Sequence, residues 1–419
     1  MTSRAAVTRP EAATHRDRAR GCLLGLAAGD ALGAPAENLT PAEIRRRWGR
    51  LTEIERGGTD DTEYAIFASS QLVRHGHALT SADVAAAYRA EVLPRITGPM
   101  RGAGFSELGT VEALRRGLEP PMTGLVHQHG WSDGLAMRAA PYGIFCPGDP
   151  AEAARLVEED GRVSQSGEGV LGGRAVAGAV AAAMAGLPPR EVVAAALSVV
   201  PEDSWTARAV TRAVTVVDQA RQDRPAGHDP SSAQVRPGDA REPDDAEAAL
   251  VEALHEAVVV RHYPWTDVAP EAVALALAAY LAGDGDVEAS VTFAVSLGRD
   301  ADTIGAIAGA VAGAGRGEGG VPARWAARIG PVAGTCLPVV AGRHVLTVAD
   351  ELTAAANHHR PTPEAGDDSR VSADAVPETG AGDDRADLPA PPPADRETGP
   401  RTGARADGPG GGSRTAKGQ

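Results

Sequence analysis

The sequence predicts an all-α protein, and three observations lead to this fold class. Almost every apolar run in the central part of the chain repeats with the period of a helix. Alternating strand patterns rich in Val, Ile and Tyr are nearly absent. Two series of glycines recur at every fourth residue, which places each series along one ridge of a helix. We find no fixed repeat period.

Seven segments show the helical period most clearly, and we predict a helix in each. In chain order the first six are TEYAIFASSQLVRHG (62–76), GRAVAGAVAAAMAG (173–186), REVVAAALSVV (190–200), SWTARAVTRAVTVVDQA (204–220), AEAALVEALHEAVVV (246–260) and PEAVALALAAYLAG (270–283). The seventh is SLGRDADTIGAIAGAVAGA (296–314), which is rich in Ala and Ile, as a buried helix is. It nevertheless begins with the polar residues Asp300, Asp302 and Thr303.

Composition excludes several classes of protein. The chain has 419 residues, 41 basic and 56 acidic, and a formal net charge of −15. It carries no Lys/Arg cluster of the kind that binds nucleic acid, so we expect no such partner. Cys22, Cys146 and Cys336 are too few and too scattered for a disulfide framework or a zinc site. The first twenty residues lack the apolar core of a signal peptide, and no uncharged run approaches the roughly 18–20 residues of a membrane span. We expect a cytoplasmic monomer with no membrane partner.

Composition also sets the domain boundaries. We expect a disordered segment at 1–17, one helical domain at 18–357 and a disordered tail at 358–419. Residues 361–419 contain no aromatic side chain and are dominated by Pro, Gly, Asp, Arg and Ala. Such a composition cannot bury enough apolar surface to offset the entropy of ordering. A polar stretch at 221–245 is typical of a loop or insertion between helices.

The two glycine series predict an unusually close contact between helices. They are Gly21, Gly25, Gly29 and Gly33, and Gly305, Gly309, Gly313 and Gly317. Each internal glycine costs a helix about 0.8–1 kcal/mol relative to Ala, and close backbone packing would compensate that cost. Gly33 and Gly317 are also placed to end a helix as C-caps. If these helices form the buried centre, polar residues at their ends are held on rigid elements: Asp30, Glu37, Asp300, Asp302 and Thr303.

Two acidic turns open helices at distant places in the chain. One is Thr59-Asp60-Asp61-Thr62, and the other contains Asp300 and Asp302. One interpretation is N-capping, in which Asp and Thr oxygens accept hydrogen bonds from free backbone N–H groups, with Glu63 completing a capping box. The other is metal binding. Capping needs one oxygen, each turn offers three or four, and carboxylates with a Thr hydroxyl suit Mg²⁺ or Mn²⁺.

Four segments, in chain order, resemble the motifs of the ADP-ribosylglycohydrolase family. They are GCLLGLAAGDALGAPAE, TDDTE, WSDGLAMRAAPYGIF and SLGRDADTIGAIAGAVAGA, and the likeness spans about residues 18–317. The resemblance implies a single compact, orthogonal multi-helix domain with a binuclear Mg²⁺ centre, in which Mn²⁺ is the alternative ion. It implies hydrolysis of a glycosidic bond, with an ADP-ribosylated protein or a small ribosyl or glycosyl compound as substrate.

The resemblance also implies roles for particular residues. Metal ligands would be Thr59, Asp60 and Asp61 from the first turn, and Asp300, Asp302 and Thr303 from the second, with Asp302 bridging the two ions. Glu37 would lie near the substrate ribose. The substrate loop would consist of Ser132, Asp133 and Gly134, with Met137 and Arg138 shaping it from behind.

The chain departs from the family pattern at two places, both of which we expect to face the outer part of the substrate. The loop that commonly reads S-N-G is here Ser132-Asp133-Gly134. Where many members carry His in a T-H-x-H-like segment, this chain has Gln165, Ser166 and Glu168. A carboxylate at Asp133 only accepts hydrogen bonds and would repel a pyrophosphate. The metal centre is therefore expected to be intact and the specificity altered.

The chemistry expected of such a centre leaves three hypotheses open. Two ions can hold vicinal ribose hydroxyls and lower the pKa of a bound water, while a carboxylate takes the proton. Glu37 and Asp302 are both candidates for that base. The protein would be an ADP-ribosyl or ribosyl glycohydrolase, a hydrolase of a small nucleoside or other glycoside, or a catalytically silent ADP-ribose-binding protein. Turnover, compared with tight binding of free ADP-ribose, distinguishes these hypotheses.

Overall fold

The computed structural model describes residues 10–96, 100, 104–223 and 245–359. Within these ranges the regular elements are helices, seventeen of them α-helical. The first nine are α1 (Ala12–Gly33), α2 (Pro41–Trp48), α3 (Asp60–His75), α4 (Ser81–Ala87), α5 (Phe105–Arg115), α6 (Met122–Leu125), α7 (Ala140–Phe145), α8 (Pro150–Ser164) and α9 (Glu168–Met184). The other eight are α10 (Pro189–Ser198), α11 (Trp205–Gln222), α12 (Asp245–Val258), α13 (Ala269–Ala282), α14 (Val287–Ser296), α15 (Ala301–Arg316), α16 (Ala323–Ala326) and α17 (Val345–His358).

The predicted all-α fold is confirmed. The seven segments with helical period correspond to α3, α9, α10, α11, α12, α13 and α15. In the described part of the chain, β-type pairing is limited to an isolated bridge between Ser132 and Val268. Among these residues, no helix combines the length and apolarity that a membrane crossing requires.

Helices α1 and α15 pack backbone to backbone along the two glycine series. A Cβ atom added to Gly25 would lie 2.2 Å from the carbonyl oxygen of Gly309, and one added to Gly309 would lie 2.1 Å from that of Gly25. The same reciprocal contact joins Gly29 to Gly305. These distances are far below ordinary van der Waals contact, so only glycine allows the helices to approach this closely. Gly317 ends α15 with a φ of 75°, as expected of a C-cap.

The pairing of the two helices is antiparallel, and this places the candidate site. Gly21 packs beside Gly313 at one end of the seam, and Gly33 packs beside Ala301 at the other. The C-terminal end of α1 therefore lies beside the N-terminal end of α15. Asp30 of α1 is thereby brought close to the first residues of α15.

The domain begins earlier than the sequence boundary at residue 18. Helix α1 begins at Ala12, so the part of the predicted disordered segment from Ala12 to Asp17 is helical. Long-range contacts hold this turn: the His15 ring bonds to the carbonyl oxygen of Ile144 at 2.8 Å, and Arg16 donates two hydrogen bonds to Asp350. The composition of residues 12–17 does not indicate these distant partners.

Two other boundaries also differ by a few residues. Helix α11 continues through Gln222 and α12 begins at Asp245, so both ends of the predicted polar loop 221–245 are helical. His358 belongs to α17 rather than to the predicted tail. Residues 1–9, 224–244 and 360–419, on which the rest of these disorder predictions fall, lie outside the described residues.

Candidate active site

A cavity of about 500 Å³ opens where α3, α5 and α15 meet the segment after α1 and the loops at 132–137 and 264–267. Its walls contain the eleven residues for which the sequence predicts catalytic, substrate-binding or metal-binding roles, and those roles stay predictions. These residues are Glu37, Thr59, Asp60, Asp61, Ser132, Asp133, Gly134, Met137, Asp300, Asp302 and Thr303. The remaining lining residues are Ala34, Asn38, Gly104, Phe105, Ser106, Glu107, Pro264, Trp265, Thr266 and Asp267.

The N-terminus of α3 is capped from another helix. The fully buried carboxylate of Asp30 accepts hydrogen bonds from the backbone N–H and the hydroxyl of Thr59, at 2.7 Å each for the nearer oxygen. It also accepts hydrogen bonds from the backbone N–H and the hydroxyl of Thr62. The Thr59 side chain makes no capping bond of its own. Because Asp30 satisfies the end of α3, the carboxylates of Asp60 and Asp61 are not needed as caps.

Glu63 does not complete a capping box either. Its carboxylate accepts hydrogen bonds from the backbone N–H groups of Thr335, Cys336 and Leu337, at 2.7–2.9 Å. Glu63 thus ties α3 to the segment before α17. The capping interpretation of this turn fails for Thr59, whose side chain makes no capping bond, and for Glu63, whose carboxylate is bonded elsewhere.

The second acidic turn is also not a cap. Asp300 occupies the N-cap position of α15, but its side chain makes no capping hydrogen bond. Thr303, in the first turn of α15, donates a hydrogen bond of 3.1 Å from its hydroxyl to the Asp61 carboxylate. The two acidic turns, more than two hundred residues apart in the chain, therefore meet directly.

Three buried carboxylates converge at this meeting point. Oxygens of Asp30, Asp61 and Asp302 all lie within 4.8 Å of one another. Burial raises the pKa of Asp61 and of Asp302 well above the usual value, and the neighbouring charge of Asp30 or of Asp300 raises it further. Burial and the charges of Asp30 and Glu107 raise the pKa of Asp60 to about 8. Ionised together, these carboxylates would repel one another, so either protons or a cation must lie among them.

The donor set fits a hard cation. Asp302 is buried and one of its oxygens, Oδ1, has no hydrogen-bond partner. The described lining residues offer carboxylate and hydroxyl oxygens but no His or Cys. Oxygen ligands of this kind suit Mg²⁺ or Mn²⁺ rather than zinc. The residues present therefore fit the metal centre that the sequence predicts.

The substrate loop is held against the segment before α13. Asp133 donates its backbone N–H to the carbonyl oxygen of Asp267, and Ala269 donates its own to that of Trp131, both at 3.0 Å. From behind, Gln165 donates from its amide to the Ser132 hydroxyl at 3.1 Å. Backbone and side-chain bonds together fix the loop at the cavity wall.

Arg138 lies behind this loop, in the turn before α7. It is 1% exposed and is paired with Asp160 at 3.0 Å and with Glu107 at 3.4 Å. It also donates to the carbonyl oxygen of Gly134. A buried arginine placed between two carboxylates positions the loop and is not available to a ligand.

The segment at 165–168 does not face the cavity, which corrects the expectation that it would contact the substrate. Gln165 is buried and supports Ser132 from behind, as described above. The Glu168 carboxylate accepts hydrogen bonds from the backbone N–H groups of Trp205 and Thr206, at 2.8 and 2.9 Å, and so caps α11. The missing histidines of this segment therefore change the support of the loop rather than the cavity wall.

Glu37 lies at the cavity mouth, just after α1. It is exposed on its outer side and accepts one hydrogen bond of 3.0 Å, from the side-chain amide of Asn38. Partial burial at the mouth and the nearby charge of Asp267 raise its pKa. A carboxylate with a raised pKa and few partners can exchange a proton with water, as general bases do.

Comparison with known proteins decides the family. The model of the family described as ADP-ribosylglycohydrolase matches residues 11–361. The chain belongs to the ADP-ribosylglycohydrolase family. Membership of this family implies glycosidic hydrolase activity.

Two relatives and one solved structure are similar to this chain. An uncharacterized protein of Archaeoglobus fulgidus is 30% identical over 325 residues, covering 74% of this chain and 90% of that protein. The ADP-ribosyl-(dinitrogen reductase) glycohydrolase of Rhodospirillum rubrum is 30% identical over 160 residues, covering 36% of this chain and 52% of that enzyme. A structure described as an ADP-ribosylglycohydrolase-related protein complex shares the fold, with a TM-score of 0.53 and 23% identity over 83% of this chain and 99% of that chain.

The sequence did not indicate several residues that form this site of the ADP-ribosylglycohydrolase. Asp30 was noted only for its place at a helix end, although a carboxylate inside an Ala/Gly/Leu run is itself a signal. Glu107 and Asp267 lie in segments that match none of the four motifs. The aromatic residues Phe105 and Trp265 line the same cavity and share that lack of signal.

Asp30→Asn is expected to lower the free energy of unfolding by about 1–3 kcal/mol, because an amide presents an N–H₂ group to donors that now meet a carboxylate. The same change should weaken activity by displacing the turn at Thr59. Urea denaturation in the presence of a chelator measures the change in the free energy of unfolding without any contribution from bound metal. Glu37→Gln, at the cavity mouth and with one side-chain partner, is the matched control and should shift the free energy by less than about 0.5 kcal/mol. Equal stability of Asp30→Asn and the wild type would mean that this carboxylate does not hold the turn.

Proposed function

We propose that this protein is a Mg²⁺-dependent hydrolase that cleaves the glycosidic bond of an ADP-ribosyl or related ribosyl group, attached to a protein side chain or to a small molecule. The observation that carries the proposal is the direct meeting of the two acidic turns, through the bond from Thr303 to Asp61. Neither turn is occupied with capping, and Asp302 keeps a buried oxygen without a partner.

Six residues would hold two cations at this point. They are Thr59, Asp60, Asp61, Asp300, Asp302 and Thr303. Asp30 already accepts four donors from Thr59 and Thr62, so we assign it to positioning the first turn rather than to ligation. When bound, the cations supply Lewis acidity toward water and ribose hydroxyls.

The residues of the chain itself would orient the sugar and handle the proton. Glu37 at the mouth and Asp302 in the interior are the two candidates for the base that accepts a proton from the attacking water. Positive charge that develops at the anomeric carbon would be stabilised by the surrounding carboxylates. The loop at Ser132 to Gly134 would orient the group beyond the ribose.

Hydrolysis of a small panel by the purified full-length protein tests the proposal. ADP-ribosylated Arg, ADP-ribosylated Ser, 1″-O-acyl-ADP-ribose and simple nucleosides are offered with Mg²⁺ or with excess chelator, and we expect release of the aglycone only with Mg²⁺. Absence of turnover on every member, together with tight binding of free ADP-ribose, would support a silent binding protein instead.

Rescue of activity by azide distinguishes Glu37 from Asp302 as the base. Glu37→Ala is expected to lose activity while retaining Mg²⁺ binding, and added azide should restore part of the rate if Glu37 is the base. An unchanged rate in Glu37→Ala would leave Asp302 as the base.

A further inference from the structure

The cavity wall is anionic throughout the part that the structure describes. Eight of its lining residues are acidic: Glu37, Asp60, Asp61, Glu107, Asp133, Asp267, Asp300 and Asp302. Among the described lining residues there is no Arg, Lys or His. Arg138 pairs with Glu107, and two divalent cations carry four positive charges for the seven carboxyl groups that remain, so a ligand that brings further negative charge meets repulsion in a partly desolvated site.

Among the described residues, two arginines lie near the cavity, and neither supplies positive charge to it. Arg138 is buried behind the substrate loop and paired with Asp160 and Glu107. Arg299 is paired with Glu271 and donates to the carbonyl oxygen of Trp265 at 3.0 Å. Neither side chain lines the cavity.

A helix N-terminus could in principle receive a phosphate, and α5 begins at the cavity wall with Gly104 as its N-cap. A carboxylate of the chain already lies at that helix end. The Glu107 carboxylate lies over the start of the helix, 2.8 Å from where a Cβ of Gly104 would be, and accepts the Ser106 hydroxyl at 2.7 Å. The end of α5 is therefore poorly suited to a phosphate.

Asp133 has a buried side-chain oxygen that lacks a hydrogen-bond donor. Its side chain is 3% exposed, and its Oδ2 atom has no partner. A ligand that offers a hydroxyl, an amide N–H or a cationic group would satisfy this buried oxygen. A phosphate oxygen offers none of these at neutral pH.

The rim of the cavity is aromatic. Phe105 and Trp265 line it with 54% and 38% of their surface exposed. The His129 ring lies between them, stacked on Phe105 at 4.7 Å and edge-on to Trp265 at 5.5 Å between ring centroids. Exposed aromatic faces at the mouth of a polar cavity suit a flat or cationic group on the ligand.

We infer that this site takes a phosphate-free glycoside: a furanoside whose outer part is a flat ring, neutral or positively charged, rather than a group carrying the pyrophosphate of ADP-ribose. The inference rests on the proposed function, whose glycosidic chemistry it keeps, and it narrows the substrate class. Asp133 is the specificity-determining residue, and Phe105 and Trp265 hold the ring.

Calorimetry with a matched pair of ligands tests the inference on the full-length protein in Mg²⁺. Formycin A and formycin A 5′-phosphate differ by one phosphate, and neither has a cleavable bond to the base, so binding is measured without turnover. We expect the phosphate to weaken binding by at least about tenfold, and ADP-ribose to bind more weakly than formycin A. Phe105→Ala should weaken formycin A, and Asp133→Asn should reduce the difference between the pair.

Equal or tighter binding of the phosphorylated ligand or of ADP-ribose would overturn the inference, as would failure of formycin A to bind. The hydrolysis panel keeps this result separate from the proposed function. Efficient cleavage of ADP-ribosylated Arg with tight binding of ADP-ribose would refute the phosphate-free substrate while the glycohydrolase function stands. Preference for formycin A over its phosphate, without turnover of any glycoside, would refute the hydrolase and keep the ligand class.

Discussion

Asp302→Asn is expected to reduce glycosidic hydrolysis by about a thousandfold or more, since it removes a charge at the point where the two acidic turns meet. Asp302 is buried, lies within 4.8 Å of Asp30 and Asp61, and has an oxygen without a partner. The amide is nearly the same size, so the helix α15 that carries it should be undisturbed. Steady-state rates with saturating Mg²⁺, on whichever panel substrate is cleaved, measure the loss.

The stability of the same variant distinguishes a metal ligand from a structural residue. Without metal, burial and the charge of Asp300 disfavour the ionised form of Asp302, as its raised pKa indicates. Asp302→Asn in excess chelator should therefore melt at the wild-type temperature or above it. It should also lose the rise in melting temperature that Mg²⁺ gives the wild type.

Asp203→Asn is the matched control for this experiment, because Asp203 is exposed and lies outside the cavity. It should keep both the rate and the Mg²⁺-dependent rise in melting temperature. For the wild type, excess chelator should stop hydrolysis, and either Mg²⁺ or Mn²⁺ should restore it. Full activity in chelator, or an active Asp302→Asn variant, would refute the metal centre.

Local sequence could predict the two acidic turns but not which of two roles they have. A carboxylate in the first turn of a helix is the normal signature of an N-cap, and the residues from Thr59 to Glu63 satisfy it. The choice depends on Asp30, which caps α3 from α1, and on the segment at 335–337, which occupies Glu63. Those partners are distant in the chain, so only the folded structure shows that the cavity carboxylates are not caps.

The helices themselves were predictable where their apolar period is long, and less so at their ends. The seven predicted segments all correspond to helices because a buried stripe repeats in each. The start of α1 could not be predicted, since Arg16 is polar and is held by a hydrogen bond to Asp350 on α17. The cavity wall at Gly104 to Glu107 was missed for a similar reason, because its residues become a site only when α5 is packed beside the substrate loop.

The close contact of α1 and α15 is the feature of the fold with the largest expected effect on stability. Gly309→Leu is expected to lower the free energy of unfolding by more than about 3 kcal/mol, at or above the usual cost of overpacking. The reason is that the first atom of any side chain would lie 2.1 Å from the carbonyl oxygen of Gly25. A backbone oxygen inside a helix cannot turn aside as a flexible side chain can. Separation of the helices would also move Asp30 away from α15 and so disturb the site.

Two alanine variants of the same helix separate this contact from helix propensity. Gly309→Ala adds only the clashing atom and should also destabilise the protein, although Ala is the better helix former. Gly315→Ala lies in the last turns of α15, where an added Cβ has nothing within 4 Å, and should be neutral or stabilising by up to about 1 kcal/mol. Urea denaturation of the three variants gives the comparison. If Gly309→Ala and Gly315→Ala were equally stable, propensity alone would govern both positions, and the glycine series would have no role in bringing α1 and α15 together. A loss confined to Gly309 would show that the seam itself places Asp30 beside the acidic turn of α15.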